Sequence, residues 1–172
     1  MGQVCLMHRR WLGDTQLDLH HYPAATRAEW RFRPLAQRGV LFDAPIMQIG
    51  RSAAFAGIPR STLDHRAGTL GTSDNDALVY PEQVDVARML CDQAVMERAT
   101  NPTIANSARR EVVAGALAHV FSQVPAARIW AAVLAIQPAL DRTLDQRRER
   151  RSLTAVGEEV QFGILRHLEL SR

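Results

Sequence analysis

The sequence predicts a mostly α-helical protein, a multi-helix bundle that also contains a helix-turn-helix-like element and a short β or extended N-terminal segment. Three observations lead to this prediction. Apolar residues recur at helical spacing from Pro81 onward. Residues 51–66 have the composition of two short helices joined by a tight turn. Residues 1–44 concentrate large aromatic side chains, and their helical period is weak.

The N-terminal segment, residues 1–44, is predicted to hold two or three short strands or an extended arm. Residues 16–20 and 29–33 both alternate polar with apolar side chains, as half-buried strands do. The second stretch also interleaves arginines with Trp30 and Phe32. Two interpretations stay open: an edge strand with its aromatic side chains in the core, or a strand that stacks on nucleic-acid bases.

The helix-turn-helix-like element spans residues 45–71. Ala53 is small enough to let a second helix cross the first, and Gly57 tolerates the positive φ that the turn is expected to need. Pro59 suits a first helical turn, because its missing N–H would have no intrahelical partner there. Ile58 and Leu63 are the apolar anchors expected to seat the second helix.

Polar side chains gather at the start of this second helix, where the helix dipole favours anions. We expect these residues to face a DNA groove, with Arg51 on a phosphate. The predicted DNA-binding residues are Arg51, Arg60, Ser61, Thr62, His65 and Arg66.

Residues 52–71 resemble the helix-turn-helix of Fis-type bacterial DNA-binding domains. The matching positions are Ser-Ala at 52–53, Gly-Ile at 57–58, Arg-Ser-Thr-Leu at 60–63 and Leu-Gly at 70–71. The resemblance implies a recognition helix that begins near Arg60, and double-stranded DNA as the ligand.

The polar stretch 71–76 is the best boundary in the chain and separates the element from a helical bundle at 77–172. Pro81 is expected to open a helix that runs to about residue 99. Asn101 is a preferred helix cap, and it is followed by a proline. Together they are expected to open a second helix, which runs to about residue 123.

Beyond Pro125 the sequence predicts a helix whose side chains Ile129, Trp130, Val133 and Leu134 pack inward. Pro138 is expected to kink or restart this helix. A final helix is expected from about Thr154, with an apolar stripe of Val160, Ile164 and Leu168. Such helices can form a homodimer or bind a partner protein.

Composition narrows the class of protein. Residues 1–66 carry nine arginines against five acidic residues, a net charge of +4, so the basic excess lies with the helix-turn-helix-like element. Two cysteines in 172 residues suit a reducing cytoplasm, and no apolar run approaches the length of a membrane span. The chain has arginine but no lysine, which points to GC-rich coding and a bacterial or phage source.

No catalytic motif, metal site or cofactor is predicted. The familiar metal-binding, phosphate-binding and nucleophile motifs do not occur. Asp18, His20 and His21 form the best cluster of ionisable side chains, and a weaker hypothesis makes the N-terminal histidines a small-molecule or metal site. Adjacent histidines in a strand would face opposite sides, however, so His20 and His21 are not expected to share a metal.

We therefore expect a cytoplasmic bacterial or phage DNA-binding homodimer that acts as a transcriptional regulator. The alternative is a helical adaptor or assembly subunit that binds another protein and does not bind DNA. The DNA-binding and adaptor hypotheses differ in what they require of Arg60 and Arg66. DNA binding requires both arginines to be exposed on one basic face. In the adaptor, Asp64 pairs with one of them and the face is neutral or buried.

Overall fold

The structure is a computed structural model that describes residues 3–13 and 16–169, with residues 150–169 described by their backbone alone. Within these residues it contains a two-stranded antiparallel hairpin and seven helices, which confirms the predicted mostly helical fold class. The elements in chain order are β1 (Val4–Cys5), β2 (Arg10–Trp11), α1 (Pro23–Gln37), α2 (Pro45–Gly57), α3 (Arg60–Leu70), α4 (Asn75–Leu90), α5 (Gln93–Ala99), α6 (Asn106–Val120) and α7 (Ala126–Glu169).

The hairpin is a short piece of sheet that is anchored by one tryptophan. Val4 pairs with Trp11, and Asp18 forms an isolated bridge to Arg10. The Trp11 ring is buried and packs edge to face on Tyr80, with 5.1 Å between ring centroids. Its Nε1 donates a hydrogen bond of 2.9 Å to Asp74. A short β element in the N-terminal segment is thus confirmed, but at residues 4–5 and 10–11; the strand predicted at residues 16–20 is wrong, because this stretch contributes only the isolated bridge of Asp18.

The strand predicted at residues 29–33 is wrong, because this stretch lies inside α1. The buried positions of α1 include Ala25, Ala28, Phe32 and Leu35, spaced three or four residues apart as on one helix face. The polar–apolar alternation was misleading because Trp30 is exposed.

A buried carboxylate ties the hairpin to two helices. Glu29 of α1 accepts hydrogen bonds from the backbone N–H of Val4 at 3.2 Å and from the Tyr80 hydroxyl at 2.6 Å. Burial, together with the bond and the charge of Glu29, raises the pKa of Tyr80 above its ordinary value. The phenol therefore stays protonated and serves as the donor that this carboxylate needs.

Helix α4 is the central element of the molecule, because it is buried on nearly every side. Its Val79 and Val86 belong to a main core that α4 builds with α2, α3, α5, α6 and α7. Its Tyr80 and Val84 belong to an N-terminal core that α4 builds with the hairpin, α1 and α2. Its apolar side chains face both cores, while charged residues such as Glu82, Asp85 and Arg88 lie on the remaining side.

Two glycines of α2 permit close packing rather than a turn. A Cβ on Gly50 would lie 2.6 Å from the Gln83 carbonyl oxygen of α4. A Cβ on Gly57 would lie 2.6 Å from the Phe121 ring. Gly57 is the last residue of α2 and does not have the positive φ that the sequence suggested. A left-handed conformation is found instead at Gly71, the C-cap of α3, with φ of 61°.

Two predicted helix starts are wrong, and side-chain hydrogen bonds near them explain where the helices begin instead. α4 begins six residues before Pro81, because Asp74 caps it by accepting from the N–H groups of Asp76 and Ala77. Asn101 does not start a helix; its side chain accepts instead from Thr103 in a local turn, and α6 begins at Asn106.

Helix α7 is continuous from Ala126 to Glu169, so the chain does not restart a helix at Pro138, and the predicted new start near Thr154 is wrong. Pro138 and Leu134 are exposed, so water can solvate the carbonyl that loses its N–H partner to the proline. Val133 is buried as expected, whereas Leu134 and Trp130 face outward. The predicted stripe at 160–168 lies outside the residues whose side chains are described.

No helix in the described part of the chain is long and apolar enough to cross a membrane.

Candidate functional site

The helix-turn-helix-like element exists as two consecutive helices, α2 and α3, which are joined through Ile58 and Pro59. Leu63 is the one buried side chain of α3, and it joins Ile58 in the main core. Most of α3 is therefore accessible, as a helix that binds a ligand must be.

Arg66 does not lie on the accessible side of α3. Its side chain is 16% exposed and forms two hydrogen bonds to the Glu82 carboxylate, at 2.6 and 2.8 Å. It also donates to the Leu78 carbonyl oxygen at 2.7 Å and lies over the Tyr22 ring. Burial disfavours the charge of Arg66, but Glu82 and Tyr22 more than offset this and raise its pKa. The Arg66 side chain therefore connects α3 to α4 through an ion pair and a hydrogen bond.

The other two arginines of the element also have carboxylate partners. Arg51 lies 2.6 Å from Asp76, and Arg60 lies 3.0 Å from Asp64 one turn further along α3. The Arg60 side chain is 82% exposed, so its ion pair contributes little and yields readily to another partner. Three arginines thus face three carboxylates, and the element presents a nearly neutral surface.

Three of the six predicted DNA-binding residues share the exposed side of α3. Arg60, Ser61 and His65 are exposed, whereas Thr62 is half-buried. The structure thus brings three polar side chains together near the N-terminus of α3, and it assigns Arg51 and Arg66 to ion pairs within the protein.

A groove of about 850 Å³ lies between α1 on one side and α4, α5 and α6 on the other. Its apolar lining comes from Leu35, Met89, Val95 and Val120. Trp30 stands at this groove with 59% of its surface exposed. An exposed tryptophan beside aliphatic side chains is typical of a surface that binds another protein.

The charges around the groove are predominantly positive. Arg31, Arg38 and Arg88 line it together with Asp85 and Asp92, so one positive charge remains before His119 is counted. Arg31 donates a hydrogen bond of 3.0 Å to Asp85, and its Nε atom lies 2.7 Å from the same carboxylate in an ion pair. Asp92 caps α5 by accepting from a backbone N–H. No carboxylate in the described part of the chain forms an ion pair with Arg38.

The basic character extends along the exposed face of α1. This helix contains one acidic residue, Glu29, which is buried and hydrogen-bonded. Arg27 and Arg33 are exposed, and the Arg33 guanidinium lies 4.7 Å from the centre of the Trp30 ring. An acidic ligand would therefore meet few carboxylates that repel it on this face of α1.

Two ionisable groups of the groove are shifted by burial. Burial raises the pKa of the Asp85 carboxyl, and the nearby Arg31 counteracts part of this rise. Burial also raises the pKa of the Cys91 thiol, with Arg38 acting in the opposite direction. The Cys91 thiol is therefore mainly protonated at neutral pH and a poor nucleophile.

Sequence reasoning missed this groove because it interpreted residues 29–33 as a strand. A usable signal was present: four arginines but one acidic residue fall between positions 23 and 38. Helical spacing then places Trp30 on the arginine-bearing face, opposite Phe32. Within the described residues no group of three or more His, Cys, Asp and Glu side chains is arranged to hold a metal ion.

Comparison with known proteins adds no assignment. No family model matches the chain, no curated protein matches its sequence, and no solved structure matches its fold. The resemblance of residues 52–71 to Fis-type domains therefore stays a prediction.

Proposed function

We propose that this protein is a helical adaptor that binds an acidic, amphipathic segment of another protein in the groove between α1 and α4–α6. The observation that carries the proposal is the exposed Trp30 at the edge of this groove. Tryptophan and arginine are the residues most enriched among binding hot spots, and this groove offers both.

The charge and shape of the groove support this choice of partner. The half-buried side chains of Val95 and Val120, which lie beside the buried Leu35 and Met89, suit the apolar face of an incoming helix or peptide. Arg38 beside them suits a carboxylate on its polar face, and Arg88 is half exposed and held by a 3.7 Å ion pair with Asp85. The neutral surface of the helix-turn-helix-like element also favours the adaptor, because Asp64 pairs with Arg60 as that hypothesis requires.

Peptide selection followed by a binding measurement tests the proposal. A displayed library of random 16-residue peptides would be selected on the full chain, and the enriched peptides labelled for fluorescence anisotropy. We expect enrichment of Asp and Glu together with apolar residues. Trp30→Ala and Arg38→Glu should each weaken binding by about tenfold or more, the effect of losing one hot spot.

Matched control variants exist on other surfaces of the chain. Trp130→Ala removes another exposed tryptophan and Arg128→Glu reverses another exposed arginine, both on α7, so both should leave the affinity within about twofold. The proposal fails if the selected peptides lack acidic residues, or if the groove variants and the control variants weaken binding equally.

DNA binding is the second candidate, because Arg60, Ser61 and His65 share an exposed helix face. A labelled random duplex, titrated at about 50 and 200 mM salt, tests it. A DNA-binding protein should lose an order of magnitude or more in affinity at the higher salt. Arg60→Ala should weaken binding further. Arg66 is unsuitable for this test, because its replacement disturbs the α3–α4 contact as well.

These two measurements separate the candidates. Salt-sensitive duplex binding that Arg60→Ala reduces and Trp30→Ala does not affect would favour a DNA-binding protein. Absence of duplex binding at low salt, with acidic peptides bound in the groove, would favour the adaptor.

A further inference from the structure

A second cavity, of about 600 Å³, lies beside the N-terminal hairpin and is lined by ionisable side chains. Cys5, His8, Asp18 and His20 all line it, together with Arg10. None of its lining residues lines the groove, and the cavity plays no part in the proposed function.

The cavity contains a cysteine paired with a histidine. Cys5 Sγ lies 3.2 Å from His8 Nδ1, across the turn that joins β1 and β2. An imidazole nitrogen at this distance can take the thiol proton, and the resulting thiolate is the nucleophilic form of cysteine. Neither residue was singled out by sequence reasoning, because a Cys-x-x-His spacing is uninformative until a turn brings the two side chains together.

The other side of the cavity carries a histidine of fixed orientation. His20 Nδ1 and its backbone N–H both hydrogen-bond to the Asp18 carboxylate. The backbone hydrogen bond and then the side-chain bond from His20 hold the pKa of Asp18 below its ordinary value. Because this carboxylate accepts at Nδ1, the Nε2 atom of His20 remains available to a molecule in the cavity.

We infer that Cys5 and His8 form a thiol-exchange site at which a small carboxylate-bearing disulfide reacts. Arg10 is the cationic group that recognises a carboxylate of this molecule. The site gives the protein a redox-dependent modification in addition to its proposed partner binding.

The reaction balances without any further reagent. His8 Nδ1 takes the proton of Cys5, and the thiolate attacks one sulfur of the small disulfide. The new sulfur–sulfur bond forms as the old one breaks, and the leaving thiolate takes the proton from His8. Cys5 is oxidised to a mixed disulfide with one half of the small molecule, while the other half is reduced and leaves as a free thiol.

The remaining cysteine provides an internal control. Cys91 lies half-buried in the groove, where burial raises the pKa of its thiol. It should therefore react slowly with the same reagent. The two cysteines fall in different proteolytic peptides, so mass spectrometry measures both rates in one sample.

Full-length protein, incubated with oxidised glutathione at pH 7.5 and quenched at intervals, tests the inference. We expect Cys5 to form the mixed disulfide at least about fivefold faster than Cys91. His8→Gln should slow Cys5 by a similar factor, whereas His21→Gln, an exposed neighbour outside the pair, should not. Circular dichroism of each variant confirms that it is folded.

A second reagent tests the recognition of the carboxylate. Arg10→Gln should slow the reaction with oxidised glutathione but not with the neutral bis(2-hydroxyethyl) disulfide. The inference is overturned if Cys5 reacts no faster than Cys91, if His8→Gln leaves its rate unchanged, or if Arg10→Gln slows both reagents equally.

Discussion

Replacing Arg66 tests whether the helix-turn-helix-like element is fixed to the body of the protein or is free to meet a ligand. Arg66→Met keeps most of the aliphatic stem and removes the guanidinium. The Glu82 carboxylate then loses both of its hydrogen bonds, and the Leu78 carbonyl loses a donor at 2.7 Å. Both side chains of the pair are largely shielded from water, with 16% and 17% exposure.

The magnitude follows from this burial. Removing one partner of a buried ion pair costs about 3–5 kcal/mol, mainly because the remaining charge is left without compensation. Since about a sixth of each side chain is still exposed, we expect Arg66→Met to lower the free energy of unfolding by about 3 kcal/mol. Glu82→Leu alone leaves Arg66 one acceptor, the Leu78 carbonyl. The double variant, Arg66→Met with Glu82→Leu, should therefore lose about 2 kcal/mol less free energy of unfolding than the sum of the two single variants.

Urea denaturation of the wild type, both single variants and the double variant gives the four free energies that the cycle needs. Arg60→Ala is the matched control, because its exposed pair with Asp64 should contribute less than about 0.5 kcal/mol. A loss below about 1 kcal/mol for Arg66→Met, or an additive double variant, would refute the reasoning. Arg66 would then be accessible, as the DNA-binding hypothesis requires.

Three further predictions concern stability. Gly57→Ala should lower the free energy of unfolding by about 1–3 kcal/mol, because the new methyl group meets the Phe121 ring, and chemical denaturation measures this. Gly68→Ala should raise it by up to about 1 kcal/mol, because a methyl group there meets nothing within 4 Å and alanine favours the helix; an unchanged or lower value would contradict this. Tyr80 has a pKa raised above its ordinary value of 10.0, so its contribution to stability should be complete below pH 10 and decline above it. Tyr80→Phe should show a shallower alkaline decline in thermal melts between pH 9 and 12, and an identical decline in both proteins would count against the assignment.

The sequence was most informative where one local signal dominated. The fold class followed from helical periodicity after Pro81, and the two helices at 45–71 followed from small residues, a turn and an apolar anchor. The start of α4 was missed because Pro81 has the stronger helix-start preference, while the Asp74 cap lies within a polar stretch that reads as a linker. Where two local signals compete in this way, tertiary packing determines which residue starts the helix.

The candidate site was predictable only in part. Composition correctly indicated a basic N-terminal region, but it does not reveal which arginines are already paired. The partners of Arg51 and Arg66 lie on α4, 25 and 16 residues further along the chain, and no spacing rule connects such positions. The orientation of Trp30 likewise depended on Glu29, a charged residue that is buried because Tyr80 and the Val4 backbone satisfy it.

The position of α4 between the two cores has a consequence for how the molecule opens. A segment can unfold by itself only if the rest keeps its buried surface covered. Loss of α3 uncovers Leu63 and breaks the Arg66–Glu82 contact but leaves most of both cores covered, so α3 should open before α4 and its amides should exchange with solvent earlier. Loss of α4 uncovers both cores together, so its amides should exchange only through global unfolding. The chain thus combines an accessible helix that opens early with a central helix that opens last.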